Sequence, residues 1–277
     1  MYSNADIFAA NRATGHIALR VAAAGARTRR ERVFEDGSLR VRFPNARPES
    51  LEAVIVNTGG GMTGGDRFTV ELFVGEGASL VAGTTAAEKI YRSNGDNAET
   101  AIRLTLCKDA RLAWLPQETI MFDNARLSRR IDIDLGPGAS LLMAEAVVLG
   151  RTAMGEAMNC GMFADLWRVR REGRLIFADG VRLDGPIAAK LAAPAASGGG
   201  IAIATLLVAP GADKVPALRM ACENINSYQG SIVEAAISSW NGVAVARLCA
   251  KNGAALRDGL LSLIAVLEQD VPRLWLQ

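Results

Sequence analysis

Three stretches of this chain share one grammar, and it constrains the fold more than any other feature. "VELFVGEGASLVAG", "IRLTLCKDARLAWL" and "RIDIDLGPGASLLMA" each run strand, tight turn, Ala-x-Leu, strand. The alanines after the turns are Ala78, Ala110 and Ala139, offset by 32 and then 29 residues. A strand pair repeating near this period suggests stacked layers, each burying its neighbour's apolar face. The hairpins of an ordinary sandwich read the same way, so the pattern leaves both open, and either is predominantly β. Alternation supports the strands themselves. "RFTVELFV" puts Phe68, Val70, Leu72 and Val74 on one face, and "AIRLTLC" and "RRIDIDLG" alternate alike. Glycine-bearing turns recur throughout, from "EDG" at 35–37 to "APGA" at 209–212.

Helix signals gather near the C-terminal end. Asp213 is placed to cap a helix with Pro216 in its first turn, followed by Val215, Leu218, Cys222 and Ile225 at spacings of three and four. A second amphipathic stretch carries Leu256, Leu260, Ile264 and Leu267 before Pro272. The expected fold is mainly β, in stacked layers of short strands resembling a β-helix or solenoid, with two C-terminal helices. The chain reads as a single domain, 1–277, with a hinge-like loop "APAASGGG" near 193–200, because strand patterns continue on both sides.

The run "NTGGGMTGGDRF" contains Gly59, Gly61 and Gly64 at the spacing of a dinucleotide loop. Such a loop must open a helix, whose N-terminal amides hold the pyrophosphate. Here "DRFTVELFV" follows, with strand period, and Gly65 and Asp66 stand where a Walker lysine would be. Asn57, Gly60, Gly61, Gly64 and Gly65 therefore read as a structural loop, bending the backbone or bringing it close to another segment at about 0.5–1 kcal/mol each. Asp66 either caps this turn or lines a polar site.

Composition narrows the chemistry. Half of the 277 residues are apolar, enough for a sizeable core, and the formal charge is only +2. That balance gives no field for nucleic acid or membrane, and "RTRRER" at 27–32 reads as a solvated strand edge. Cys107, Cys160, Cys222 and Cys249 are scattered, which argues for a reducing compartment and against a disulfide frame or zinc clip. The single histidine, His16, leaves little room for histidine-based catalysis. The N-terminus lacks the plan of a signal peptide, and the longest apolar run, "IAIATLLVAP", is about half of a membrane span. A cytoplasmic location is expected.

Five blocks occur in order: "VNTGGGMTGGDRF", "TTAAEKIYRS", "WLPQETIMFDNARL", "EAVVLGRTAMGE" and "PRLWL". Together they resemble the UreD (UreH) urease accessory proteins, strongly over about residues 50–156 and weakly to the end. The chain departs from that pattern at Gly83-Thr84-Thr85, where the first threonine of the family's run is missing. The resemblance implies a β-rich stack of strands with two helices and no catalytic turnover. It implies binding to the structural subunits of apo-urease and to UreF, through which the GTPase UreG docks. Nickel is then expected as a transient passenger, Ni²⁺ moving through an internal polar passage to the urease metallocentre, with no tightly bound cofactor.

The residues accommodate such a role. Tight Ni²⁺ sites use imidazole or thiolate, which this chain scarcely has, whereas a conduit needs oxygen ligands weak enough to release the ion. Asp66, Glu88, Glu118, Asp123, Glu145 and Glu156 are the candidate carboxylates, and Thr84 and Thr85 the candidate hydroxyls. Glu145 is the most informative, because it interrupts the apolar "LLMAEAVVLG". It belongs either to the passage or to a structural contact, a salt bridge to Arg151 or a backbone bond. Glu88, beside Lys89, Tyr91 and Arg92, reads first as part of a structural ion-pair cluster. Two other classes stay open. One is a carboxylate hydrolase on a β-solenoid, using Glu145 and Glu156 about 5–5.5 Å apart. The other is a passive scaffold holding UreF against urease with no passage.

Overall fold

The corners between strands decide the architecture of the computed structural model, which describes residues 12–44, 50–151, 154–228, 230–268 and 271–276. Part of the N-terminal reading rests on residues 1–11, which lie outside these. At each of the three repeated turns the chain leaves one sheet and enters another. β5 (Arg67–Val74) passes to β6 (Ser79–Thr84), β8 (Ala98–Leu106) to β9 (Arg111–Trp114), and β11 (Arg126–Leu135) to β12 (Ser140–Leu149). The three first members pair in parallel in one sheet, and the three second members in the other. Successive corners are stapled by backbone bonds. The Arg111 amide donates to the Ala78 carbonyl at 2.8 Å, and the Ser140 amide to that of Ala110 at 2.9 Å. Ala78, Ala110 and Ala139 are fully buried at these corners, where a larger side chain would separate the coils. The stacked-layer expectation holds, and the turns are not hairpins.

Among the described residues, one sheet has seven strands in the order β14-β13-β11-β8-β5-β1-β2, and the other has ten. The first is extended by β1 (Thr14–Ala24), β2 (Arg27–Gly37), β13 (Cys160–Arg171) and β14 (Arg174–Pro186). The basic run lies on β2, an exposed edge strand, where arginines discourage edge-to-edge pairing. The second sheet also holds β3 (Leu39–Arg42), β4 (Leu51–Asn57), β7 (Glu88–Ile90), β10 (Thr119–Met121), β15 (Ala202–Ala209), β16 (Val233–Trp240) and β17 (Val243–Ala250). "IAIATLLVAP" is thus β15, and no described helix is long and apolar enough to cross a membrane.

Two cores result. One lies between the sheets, and the other between the second sheet and its helices. β12 therefore has both faces buried, which is why its sequence is nearly continuous in apolar residues. Leu141, Met143 and Val147 face the inter-sheet core, and Leu142, Ala144, Ala146 and Val148 face the helices. Glu145 keeps the period of the first set, so its carboxylate points between the sheets.

The helices are α1 (Ile187–Ala192), a short one ahead of the glycine-rich loop, and the two expected C-terminal ones, α2 (Val215–Ser227) and α3 (Gly253–Ala265). Leu218, Cys222, Leu256, Leu260 and Ile264 are buried as their spacing requires. The capping differs from expectation at α2. A 3₁₀ turn (Ala212–Lys214) precedes it, no side chain caps it, and Asp213 pairs with Lys214 instead. The 3₁₀ turn moves the helix start past Asp213. In the 193–200 loop, the Ser197 hydroxyl donates to the carbonyls of Leu191 and Gly200, at 2.9 and 2.7 Å.

Candidate functional site

The glycine run is the corner from β4 to β5, with no helix at its exit. Gly61 (φ +150°) packs against the Lys89 carbonyl and the Tyr91 ring, where a side chain would collide. Gly64 is as tight against Ser93 and the Asp96 carbonyl. Close approach is thus the reason for these glycines. Asp66, nearly fully buried, accepts from the amides of Thr63 and Ala13, both at 2.8 Å. It caps the corner and ties it to β1.

The polar centre of the molecule lies elsewhere, between the sheets. Arg129 sits on β11 in an inward row with Leu127, Ile131, Ile133 and Leu135. Its register partner on β13 is Asp165, and Glu145 faces it from β12 in the other sheet. Exposures of 6 %, 8 % and 5 % place all three in the interior. The Arg129 Nε and Nη2 donate to Asp165 Oδ1 and Oδ2 at 3.0 and 2.6 Å, and Nη1 donates to Glu145 Oε2 at 2.5 Å. Nη1 also reaches the Thr119 hydroxyl at 3.5 Å. Two indoles complete the arrangement. Trp114 Nε1 donates to Glu145 Oε1 at 2.7 Å, and Trp167 Nε1 donates to Asp165 Oδ2 at 2.9 Å. Every carboxylate oxygen has a donor, as buried charge requires.

One guanidinium thus faces two carboxyl groups in the interior. Burial pushes the Glu145 carboxyl above its ordinary value, although Arg129 and Trp114 pull the other way. Burial also works against the Arg129 charge, but Asp165 and Glu145 more than offset it and hold the guanidinium protonated.

Two cavities meet at this cluster, and both are lined by Arg129 and Glu145. One has about 80 Å³ open to water and runs between the sheets past Thr100, Thr119 and Trp114 to Thr84, Gln117 and Glu88. The other, about 30 Å³, continues past Asp165 and Thr205 to Asp179 and the exposed Gly180 and Val181. A water needs roughly 10–15 Å³ measured in this way, so the first is roomy enough for several and the second for about two.

The expected site residues separate on this geometry. Glu145, Glu88 and Thr84 line the larger cavity. Thr84 accepts from the Gln117 amide at 2.9 Å and donates to the Ala86 carbonyl, whereas Thr85 is exposed. Among the described residues, Glu88 forms no ion pair with Lys89 or Arg92. Lys89 projects to the opposite side of β7, and the Glu88 carboxylate accepts from Asn57 Nδ2 at 2.9 Å. Burial, only partly offset by Asn57, raises its carboxyl to about 7. Glu118 is held bidentately by Arg257 of α3, at 2.9 and 2.8 Å. Glu156 is paired with Arg151 outside both cavities, and Asp123 accepts from the amides of Asn159 and Cys160.

Of the structural contacts left open for Glu145, a salt bridge forms, but to Arg129 and not Arg151, because Arg151 lies beyond the end of β12 and is taken by Glu156. The same arrangement separates Glu145 from Glu156 and leaves a two-carboxylate hydrolase without its pair. Arg129 and Asp165 were not among the sequence candidates. The signal for both was the inward row itself, Leu127-Arg129-Ile131 and Phe163-Asp165-Trp167, in which one charge interrupts an apolar face. Among the described residues, no three His, Cys, Asp or Glu side chains converge as a tight metal site would need.

Comparison with known proteins bears on the same chain. Residues 13–276 match the family described as UreD urease accessory protein. A protein named urease accessory protein UreD from Rhodopseudomonas palustris (strain BisA53) is 50 % identical over 275 residues, covering 99 % of this chain and 94 % of the relative. A Bradyrhizobium sp. (strain BTAi1) protein named urease accessory protein UreD 3 is 51 % identical over 274 residues, 98 % and 96 % of the two chains. A third, from Bradyrhizobium diazoefficiens, is 50 % identical over 272 residues, 98 % and 96 %. These names describe an accessory role and no catalysed reaction. On the extent of the match and the identity of its relatives, the chain belongs to the UreD family of urease accessory proteins.

Proposed function

We propose that this urease accessory protein binds apo-urease and, with UreF and the GTPase UreG, supports nickel insertion by letting Ni²⁺ cross its interior. The observation that carries the reading is the pair of cavities that meet at Arg129 and Glu145 between the sheets. Their polar lining is oxygen-rich: Glu88, Thr84, Thr119, Glu145, Asp165, Thr205 and Asp179. Hard oxygen ligands and water bind Ni²⁺ less tightly than imidazole or thiolate do, so an ion relayed along them is released again. The Glu145 and Asp165 carboxyls at the centre give a cation oxygen partners within an apolar core, where an unpartnered charge would be costly.

Thr205 offers a clean obstruction, because it lies opposite Glu145 in register and is itself uncharged. With Thr205→Trp, co-purification with the urease structural subunits and UreF is expected to persist, while urease isolated from the same cells at limiting nickel is nickel-poor. Full nickel content with the complex intact would instead favour a passive scaffold.

A further inference from the structure

Among the described residues lining either cavity, Arg129 is the only cation, and it stands where the two meet. Its three nitrogens span both carboxylates, 2.5 Å from Glu145 and 2.6 Å from Asp165 at the closest. Those carboxylates come from different sheets, so the guanidinium bridges the gap that any ion between the cavities must cross. We propose that Arg129 is a tethered placeholder cation, which occupies the position a divalent ion takes between Glu145 and Asp165 and closes the route until it swings aside.

The donor set supports this. Glu145 and Asp165 present oxygens from both sides of the gap, and the group that bridges them is a cation. The Thr119 hydroxyl, 3.5 Å from Nη1, and cavity water complete an oxygen environment suited to Ni²⁺ in transit. The indoles of Trp114 and Trp167 hold the carboxylates from behind, so they keep their positions when the guanidinium leaves. The larger cavity, about 80 Å³ in all and lined by Arg129 at one end, is the space into which it would move. Returning, the guanidinium competes for the same oxygens and expels the ion, which is how a site of two buried carboxylates avoids becoming a trap.

The inference rests on the passage reading, and its test is kept separate by measuring binding to the chain without urease. Arg129→Met and Arg129→Lys are purified as full-length protein in complex with UreF, and Ni²⁺ binding is followed by equilibrium dialysis. Lysine retains a charge but loses the fork, so it guards against misfolding of the methionine variant. The expected result is one additional Ni²⁺ per chain at no less than ten-fold tighter affinity than the parent, abolished when Glu145→Gln is added. Thermal unfolding of the variants is expected to shift upward with nickel, while that of the parent does not. Folded variants that bind no more nickel than the parent would overturn the proposal. So would extra nickel that survives Glu145→Gln, or failure of both variants to fold even with nickel present, which would make Arg129 a structural brace. Added nickel in these variants, together with full urease loading by Thr205→Trp, would keep the ion site between Glu145 and Asp165 but overturn its gating of a passage.

Discussion

Arg129 and Glu145 meet at 2.5 Å from opposite sheets, so one ion pair both closes the interior and joins its two walls. Buried pairs of this kind add little net stability over a well-packed apolar core, yet losing one partner costs about 3–5 kcal/mol. A polar cluster in the middle of a solenoid core is thus an arrangement that stability alone does not require. It stands between two cavities, where the proposed passage would cross it.

The indole behind Glu145 gives the first prediction. Trp114→Phe removes the donor to Glu145 Oε1 while keeping most of the packing. It is expected to lower the unfolding free energy by about 1–3 kcal/mol, the cost of a buried acceptor left unpaired. Urea denaturation of the parent and variant checks this. An unchanged midpoint would mean that water replaces the indole.

Glu88 predicts a pH dependence. Its folded-state value, about 7, lies above the ordinary carboxylate value of an unfolded chain. The folded state therefore binds the proton more tightly, and this contribution is fully present at pH below about 4 and lost as pH rises through 7. Above that window the buried carboxylate is a burden. Glu88→Gln is expected to gain stability relative to the parent between about pH 5 and 8, with no relative change beyond. Melting temperatures of both proteins across that range decide it.

The glycine corner predicts sensitivity to a single methyl group. Gly64→Ala drives a Cβ into Ser93 and the Asp96 carbonyl, and overpacking against backbone costs about 1–3 kcal/mol. Dinucleotides or ATP are expected to leave the parent's melting temperature unchanged. A nucleotide-dependent rise would restore the cofactor reading of this loop.

Arg257 anchors the C-terminal segment. It grips Glu118 with two nitrogens and donates to the Trp275 carbonyl at 3.3 Å, while Trp275 Nε1 donates to the Leu115 carbonyl at 2.9 Å. Arg257→Ala is expected to speed proteolytic removal of residues beyond α3 several-fold, with the sheets left intact. Limited proteolysis with mass spectrometry reads this directly.

Much of the fold was legible because it is locally written. Period-two alternation and the three corner alanines announce strands and their stacking, and a helix such as α3 shows its face at spacings of three and four. The site was legible only where a residue breaks a run within its own strand. Glu145 interrupts an apolar sequence and was found in this way, whereas Arg129 and Asp165 lie in alternating strands where charge is expected on the outer face. Only the register of inward positions distinguishes them. The salt bridge of Glu145 was open as an alternative, with its partner misplaced for a related reason. Arg151 is near in sequence, but Arg129 arrives from the facing sheet, and the pairing of two sheets is a property of the stack. Asp66 and Glu118 were plausible ligands by type, and their oxygens are engaged by amides and by Arg257.

The most direct measurement is the nickel content of urease matured at limiting nickel by a graded series at one wall position, Thr205→Ser, Thr205→Phe and Thr205→Trp, with complex assembly quantified in each. If the ion crosses the interior, loading stays at the parent level for serine and falls progressively for phenylalanine and tryptophan while assembly is constant. Loading that ignores side-chain size across the series, in fully assembled complexes, would contradict the account.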